Sequence, residues 1–488
     1  MNLHQEIYDL LQEIGPGRMR PTAYDTAWVA RLAEIDEPIG KKALDWIRAH
    51  QLEDGSWGAE QPYYHHDRVI CTLAAMSTLS RQGERQDHVR LKRAVSALKY
   101  ATTGLDSDPA ETIGFELIAP TLWSEVERID GVNEQGNSIL EQLAPRRSAK
   151  LSALPKNVVD RTVTVAFSSE MAGFDGQHLL NVENLQEVNG SVGTSPSATA
   201  YFALYVRRGE SRALNYLREV AIDGTAPNVM PFEVFEIGWT LWNLMLTDML
   251  DDELLNLCKI HLDTLEAAWK PGQGVGHTAS YTLAEGDDTS LTYEVLAHFG
   301  RTVDLEAVLN YEHVFYFRCF ELESNPSIST NIHVLGALRQ AGLEKQHPSV
   351  QKVLRFLEKV RTGKTFWFDK WHTSPYYATA HGIIACAGYA DELVHNAVSW
   401  ILDTQNEDGS WGYYMPSAEE TAYCLQSLAV WKRQGYDVPN GILERGAEWL
   451  AQHAEPPYPP LWIGKCLYCP ELVIRSAILS ALALVAKE

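Results

Sequence analysis

Three carboxylates fall within four positions at Glu285-Gly286-Asp287-Asp288, with Thr289 and Ser290 next. Crowded carboxylates cannot all ionise, so such a cluster retains a proton at neutral pH and can serve as an acid. The same segment reads as the start of a helix running to about His298, where Asp and Ser cap free backbone N–H groups. A helix N-terminus favours the anion, so a neutral Asp at this place also requires burial. A second constellation is basic: Arg146-Arg147-Ser-Ala-Lys150, with Lys156 beyond. It reads either as a solvated face or as a phosphate site. No P-loop or dinucleotide fingerprint accompanies it, so nucleotide binding is unsupported. The third is aromatic. Among 14 Trp and 21 Tyr, many stand in loop-like segments: Tyr63-Tyr64, Trp367, Trp371, Tyr376-Tyr377, Tyr413-Tyr414. Singly such residues are core wedges. Together their ring faces can line a cavity and stabilise a passing carbocation. Metal signals are weak. Cys466-Leu-Tyr-Cys469 has no second pair at zinc spacing, and His65-His66-Asp67, His372 and His381 stand isolated.

The elements that must position these residues announce themselves through an internal repeat. Gln51-Leu-Glu-Asp-Gly-Ser-Trp57-Gly58 returns as Gln405-Asn-Glu-Asp-Gly-Ser-Trp411-Gly412, and more weakly as Gln186-Glu-Val-Asn-Gly-Ser-Val192-Gly193. Trp269 to Gly276 and Gly363 to Trp371 are vaguer relatives. Each copy precedes a segment rich in small residues at helical spacing. The unit is a Gly-containing turn followed by a closely packed helix, and it needs neighbours to bury its apolar face. Alternating β-branched runs are scarce. The expectation is an all-α chain of helix pairs curled into two barrels that pack rigidly, since no flexible linker separates them.

Composition bounds the partners. The 488 residues are 45 % hydrophobic and 22 % charged, as in folded soluble proteins. Their net charge of −23 argues against nucleic acid and anionic membranes. Seven scattered cysteines and an N-terminus with no signal-peptide pattern suggest a reducing cytoplasm without disulfides. The longest apolar stretch, near Ala477 to Ala486, is too short for a transmembrane segment.

Several motifs then carry a resemblance: Ala23-Tyr-Asp-Thr-Ala-Trp28, Gly114-Phe-Glu-Leu-Ile-Ala-Pro120, Ser195-Pro-Ser-Ala-Thr-Ala-Tyr201, Phe235-Glu-Ile-Gly-Trp239, Ser327-Ile-Ser-Thr-Asn-Ile-His333, Asp369-Lys-Trp-His372, Glu419-Glu-Thr-Ala-Tyr423 and Trp462-Ile-Gly-Lys465. Along its whole length the chain resembles the class II terpene cyclases, specifically bacterial diterpene cyclases of the halimadienyl, copalyl and kolavenyl diphosphate synthase type. The resemblance implies two α/α-barrel domains: a β domain from 1–25 plus 252–488, and an inserted γ domain from 26–251. The family's general acid falls on Asp287, followed by Asp288, with Glu285 in place of the usual first Asp. Asn331 and His333 are implied to orient the acid; plant-type relatives place an Asn where this chain has Val334. Glu116 is implied in magnesium binding and Lys150 in diphosphate binding, with Arg68 and Lys465 at further diphosphate-side positions.

The implied reaction is protonation of geranylgeranyl diphosphate, closure of two rings and loss of a proton, with the diphosphate retained and Mg²⁺ as cofactor. A retained diphosphate leaves ionisation to a separate class I terpene synthase. The plant-type pair that quenches the bicyclic cation early, a His and an Asn, aligns with Ser168 and Asn228. Without the imidazole, hydride and methyl shifts are expected, giving a halimane- or clerodane-type product such as kolavenyl or halimadienyl diphosphate. The alternatives are a labdane-type copalyl diphosphate synthase and a non-catalytic isoprenoid-binding protein.

Overall fold

The repeated turn is built the same way wherever its sequence recurs. In the computed structural model, which describes residues 2–129, 132, 138–321, 323 and 325–486, the amides of Gln51, Gln186 and Gln405 donate to the carbonyls of Gly55, Gly190 and Gly409. Asp54, Asn189 and Asp408 each accept from both the backbone and the hydroxyl of the serine two residues on. The intervening glycines have φ of +93°, +89° and +94°, a region that side chains with a Cβ rarely enter. The residue after the serine (Trp57, Val192 or Trp411) donates its backbone N–H to a threonine hydroxyl in the next helix: Thr72, Thr199 or Thr421. Val275 and Trp367, in the two vaguer relatives, do the same with Thr289 and Thr379. The indoles of Trp57, Trp367 and Trp411 reach back to the carbonyls of Ile47, Leu357 and Ile401, each at 2.8 Å. Each of these turns thus staples a preceding helix to a following one.

The following helices line the inside of two rings. In the larger, Glu233–Met245, Gly286–His298, Ile328–Gln340, Pro375–Cys386, Ala418–Arg433 and Glu471–Ala486 each pack on the next, and the last returns to the first. Leu3–Glu13, Asp252–Ala268, Pro348–Val360, His395–Asp403 and Ile442–Gln452 pack around them. Inner helices are buried almost all round. Outer ones bury a single stripe, as in Val350, Val353, Phe356 and Leu357. The smaller ring closes through Ala23–Ala30, His65–Gln82, Phe115–Val126, the 3₁₀ segment Thr164–Ala172 and Pro196–Tyr201. The chain is therefore all-α, two α/α barrels, with one inserted in the other. The one regular strand pair among the described residues is the short hairpin of Trp462–Ile463 with Leu467–Tyr468.

Each ring has its own apolar core, and the cores correct the expected boundaries. Val234, Ile237, Trp239 and Leu241 belong to the larger core, so the inserted unit ends before Glu233 rather than at 251. Ala23 and Tyr24, expected in the larger unit, belong to the smaller core. The two crossings run side by side: the Thr22 N–H donates to the Ala226 carbonyl and the Phe232 N–H to the Pro16 carbonyl, both at 2.9 Å. All seven cysteines are buried and unpaired in disulfides. No helix among the described residues is long and apolar enough to cross a membrane.

Candidate active site

The carboxylate cluster opens an inner helix of the larger ring, and each member has a different task. Glu285 is the N-cap: its carboxylate accepts from the backbone N–H of Asp287 at 2.7 Å and from that of Asp288. The Cys319 thiol donates to it at 2.7 Å. Gly286 follows because any Cβ there would run into the Arg318 carbonyl. Asp287 is left to face inward, its side chain 11 % exposed. Burial, reinforced by the neighbouring Asp287 charge, pushes the Glu285 carboxyl up to about 7. Burial and the adjacent Glu285 push Asp288 well above the carboxylate range. Crowding and burial therefore both disfavour full ionisation of Glu285 and Asp288.

His333 meets Asp287 from the next inner helix, Nδ1 to Asp287 Oδ1 at 2.6 Å. Burial opposes charge on the imidazole, but the adjoining Asp287 outweighs it and raises the His333 pKa. Ser329 donates its hydroxyl toward Asp287 Oδ2 at 3.4 Å and to Asp369 Oδ2 at 3.1 Å. Asp369 also accepts the backbone N–H groups of Ile328, Ser329 and Trp371 and so fixes the start of the His333 helix. Asn331 does not touch Asp287. Its amide binds the backbone of Phe317 and the Ser327 carbonyl, so it anchors the loop before this helix rather than orienting the acid.

Aromatic rings gather around His333, the partner of Asp287. Trp239 stands edge-on to His333, with centroids 5.5 Å apart, and stacks on Phe235 at 4.2 Å. Tyr377 packs on Trp462 at 4.9 Å, and Trp462 on Tyr468 at 6.2 Å. These rings come from inner helices and from the 462–468 hairpin, which faces the smaller ring. Of the aromatics nominated from loop-like segments, Tyr377 is in this group. Trp367 belongs to a turn staple, Tyr376 stacks on Trp400, and Tyr413 and Tyr414 are exposed.

The remaining candidates separate into two places. Glu116 and Lys150 form an ion pair with each other, both about half exposed, on neighbouring helices of the smaller ring. Arg147, beside them in sequence, is tied to Asp175 and to the Met171 and Ala172 carbonyls. Arg68 and Lys465 are not available to a diphosphate, contrary to the expectation. Arg68 binds Asp54, Ser56 and the carbonyls of Ala59 and Glu60, bracing the first repeated turn. Lys465, fully buried, reaches from the hairpin into the smaller ring. It contacts Glu170 at 2.7 Å, the Ser195 and Ser197 hydroxyls at 2.6 Å and the Phe167 carbonyl at 2.9 Å. Ser168, next to Phe167, is buried, has non-helical φ/ψ, and its hydroxyl has no partner among the described residues. It packs near Gly114. Asn228 donates to Asp25 at 3.0 Å and packs against Gly464. Asn228 thus lies against the 462–468 hairpin, and Ser168 follows Phe167, whose carbonyl accepts from Lys465 of that hairpin.

As for metals, Asp67, Cys71 and Cys466 converge, but both Asp67 oxygens already accept backbone N–H groups, from Leu467 and Ala59, and burial keeps both thiols neutral. His66 pairs with Asp108, and His65 with the Ala101 carbonyl. Glu116 is a half-exposed carboxylate paired with Lys150, and magnesium commonly binds through one or two carboxylates plus substrate phosphate oxygens. Sequence reasoning set His381 aside as an isolated ligand. In the structure its Nδ1 lies 2.9 Å from His333 Nε2. The signal available was position: each histidine lies about two turns into its inner helix, after a serine cap.

Residues 311–454 match the family model described as the squalene-hopene cyclase C-terminal domain. The chain is 48 % identical over 477 residues to a type B diterpene cyclase of Mycobacterium tuberculosis, covering 95 % of each. It is 30 % identical to an ent-copalyl diphosphate synthase of a Streptomyces species, covering 98 % of this chain and 95 % of that one. The solved ent-copalyl diphosphate synthase from Streptomyces platensis superposes with a TM-score of 0.81 at 28 % identity, over 100 % of both chains.

Proposed function

The chain belongs to the class II diterpene cyclases, and from that premise we propose that it cyclises geranylgeranyl diphosphate with the diphosphate retained. The observation that carries this reading is a buried Asp287 held by His333 among the rings of Trp239, Tyr377 and Trp462. The Asp287 O–H bond breaks as the π pair of the terminal alkene takes the proton. The resulting tertiary cation is attacked by the next double bond, and then by another, closing two rings. Ring faces stabilise the moving charge without offering it a nucleophile. A final C–H loss restores an alkene, and no C–O bond to the diphosphate breaks. Folding the polyene in a preorganised, water-poor cavity supplies much of the rate.

Lys150 is assigned to the diphosphate and Glu116 to a magnesium ion. When bound, that ion neutralises diphosphate charge. The product is a rearranged halimane- or clerodane-type diphosphate, such as kolavenyl or halimadienyl diphosphate. Two features support this. Ser168 offers a hydroxyl where early quenching uses an imidazole, and the Asn228 amide is engaged by Asp25. The test is to incubate the protein with C15, C20 and C25 prenyl diphosphates and Mg²⁺, treat with phosphatase, and identify the alcohols. A bicyclic rearranged C20 alcohol is expected, appearing only after phosphatase, with a shift toward labdane in Ser168→His. A wild-type labdane with an exocyclic alkene would overturn the product assignment. Tight binding without product would overturn the catalytic one.

A further inference from the structure

Each turnover removes a proton from Asp287, and the same proton must come back from water before the next. On the substrate side the acid faces the rings of Trp239 and Tyr377, and a proton taken from the Tyr377 hydroxyl would itself have to be replaced from water. On the other side it faces a line of imidazoles: Asp287 Oδ1 to His333 Nδ1 at 2.6 Å, then His333 Nε2 to His381 Nδ1 at 2.9 Å. The line ends at His381 Nε2, which is buried and has no partner among the described residues. Both histidines line a cavity of about 320 Å³ on the side of the ring away from the hairpin. Exposed Gln340 and Gln434 lie in its wall, so it communicates with solvent. Trp242 stacks on His381 at 4.5 Å and fixes the ring plane. Glu294 lines the same cavity, and burial pushes its carboxyl up to about 7, so it exchanges protons near neutrality.

We propose that His381 and His333 return the proton to Asp287 from water in this rear cavity, so that acid and solvent are joined without opening the substrate side. This rests on the cyclase reading above. A hydronium ion in the cavity gives its proton to His381 Nε2 and leaves as water. His381 passes its Nδ1 proton to His333 Nε2. His333 passes its Nδ1 proton to the Asp287 carboxylate, which becomes the neutral acid. One proton enters, one arrives, and no oxidation is involved. Rotation of the carboxyl and tautomer exchange of the imidazoles reset the line.

The discriminating variant is His381→Asn. Its amide nitrogen sits where Nδ1 was and still donates to His333, so the positioning of His333 survives, but an amide cannot relay a proton. The expected result is a first turnover at about the wild-type rate, followed by steady turnover at least about tenfold slower, with added imidazole restoring the second phase. Gln434→Trp, which adds bulk at an exposed position of the cavity wall outside the helices that carry the two histidines, guards against a folding defect in the first variant and should show the same split between phases. Equal loss of both phases would show that His381 only positions the acid, and unchanged steady turnover would show that protons arrive elsewhere. Either result overturns the relay. A wild-type enzyme that makes no product in either phase would instead overturn the cyclase reading, and the relay with it.

Discussion

Asp287→Asn keeps the side chain's size and removes its transferable proton. Turnover should fall at least about a hundredfold, the low end for general acid–base catalysis, while the melting temperature stays near that of the wild type. Activity close to wild type in that variant would move the acid elsewhere. Asp288→Asn should cost less, since Asp288 adjoins the acid on the same helix and His333 contacts Asp287 instead. The carboxylate cluster was legible in the sequence because helix capping and crowded carboxylates use the same short run of residues. The task of Asn331 was not legible. Asn331 and His333 lie two positions apart on one helix and so point in different directions, and only the folded loop at Phe317 shows that Asn331 faces away from Asp287.

At the scale of elements, the turn staples and the inner helices make separate predictions. Trp411→Phe keeps an aromatic ring but leaves the buried Ile401 carbonyl without its indole donor. A loss of about 1–3 kcal/mol in chemical denaturation is expected, with little change in KM. Glu236, on the inner helix Glu233–Met245, is fully buried and accepts the Arg18 N–H at 2.6 Å. Burial pushes its carboxyl from 4.5 up to about 7. The folded state therefore keeps a proton that the unfolded chain releases. This contribution is full below pH 4.5 and is lost as pH rises through about 7. Relative to Glu236→Gln, the wild type should lose about 3 kcal/mol between pH 4.5 and about pH 8 in denaturant titrations. Parallel stability curves would refute the shift. The turn staples could be read from sequence because their hydrogen bonds run mostly between residues close in the chain. The placement of Glu233–Met245 could not, since a helix buried all round carries no stripe to say which core receives it.

Across the whole molecule, Lys465 is one of the residues that tie the two rings together, since its ammonium crosses from the hairpin to Glu170, Ser195 and Ser197. Lys465→Met would leave Glu170 buried without its cation. A loss of about 3–5 kcal/mol is expected, measured by calorimetry without substrate. A diphosphate ligand would behave differently, raising KM and sparing stability. The sequence by itself determined the all-α class, the repeated turn, the helix that opens at the carboxylate cluster and the acidic charge of the chain. These depend on capping, glycine dihedrals and helical periodicity, which act within a few residues. Only the tertiary structure decided which charged groups are taken up by one another and which are left half exposed. Arg68 and Lys465 have the composition of ligand-binding residues and are consumed by structural contacts. His381 looks isolated in the sequence and stands behind His333, the partner of Asp287. The reason is that a charge or an imidazole acquires its role from the groups opposite it, and in this chain those groups come from other helices and, for Lys465, from the other ring.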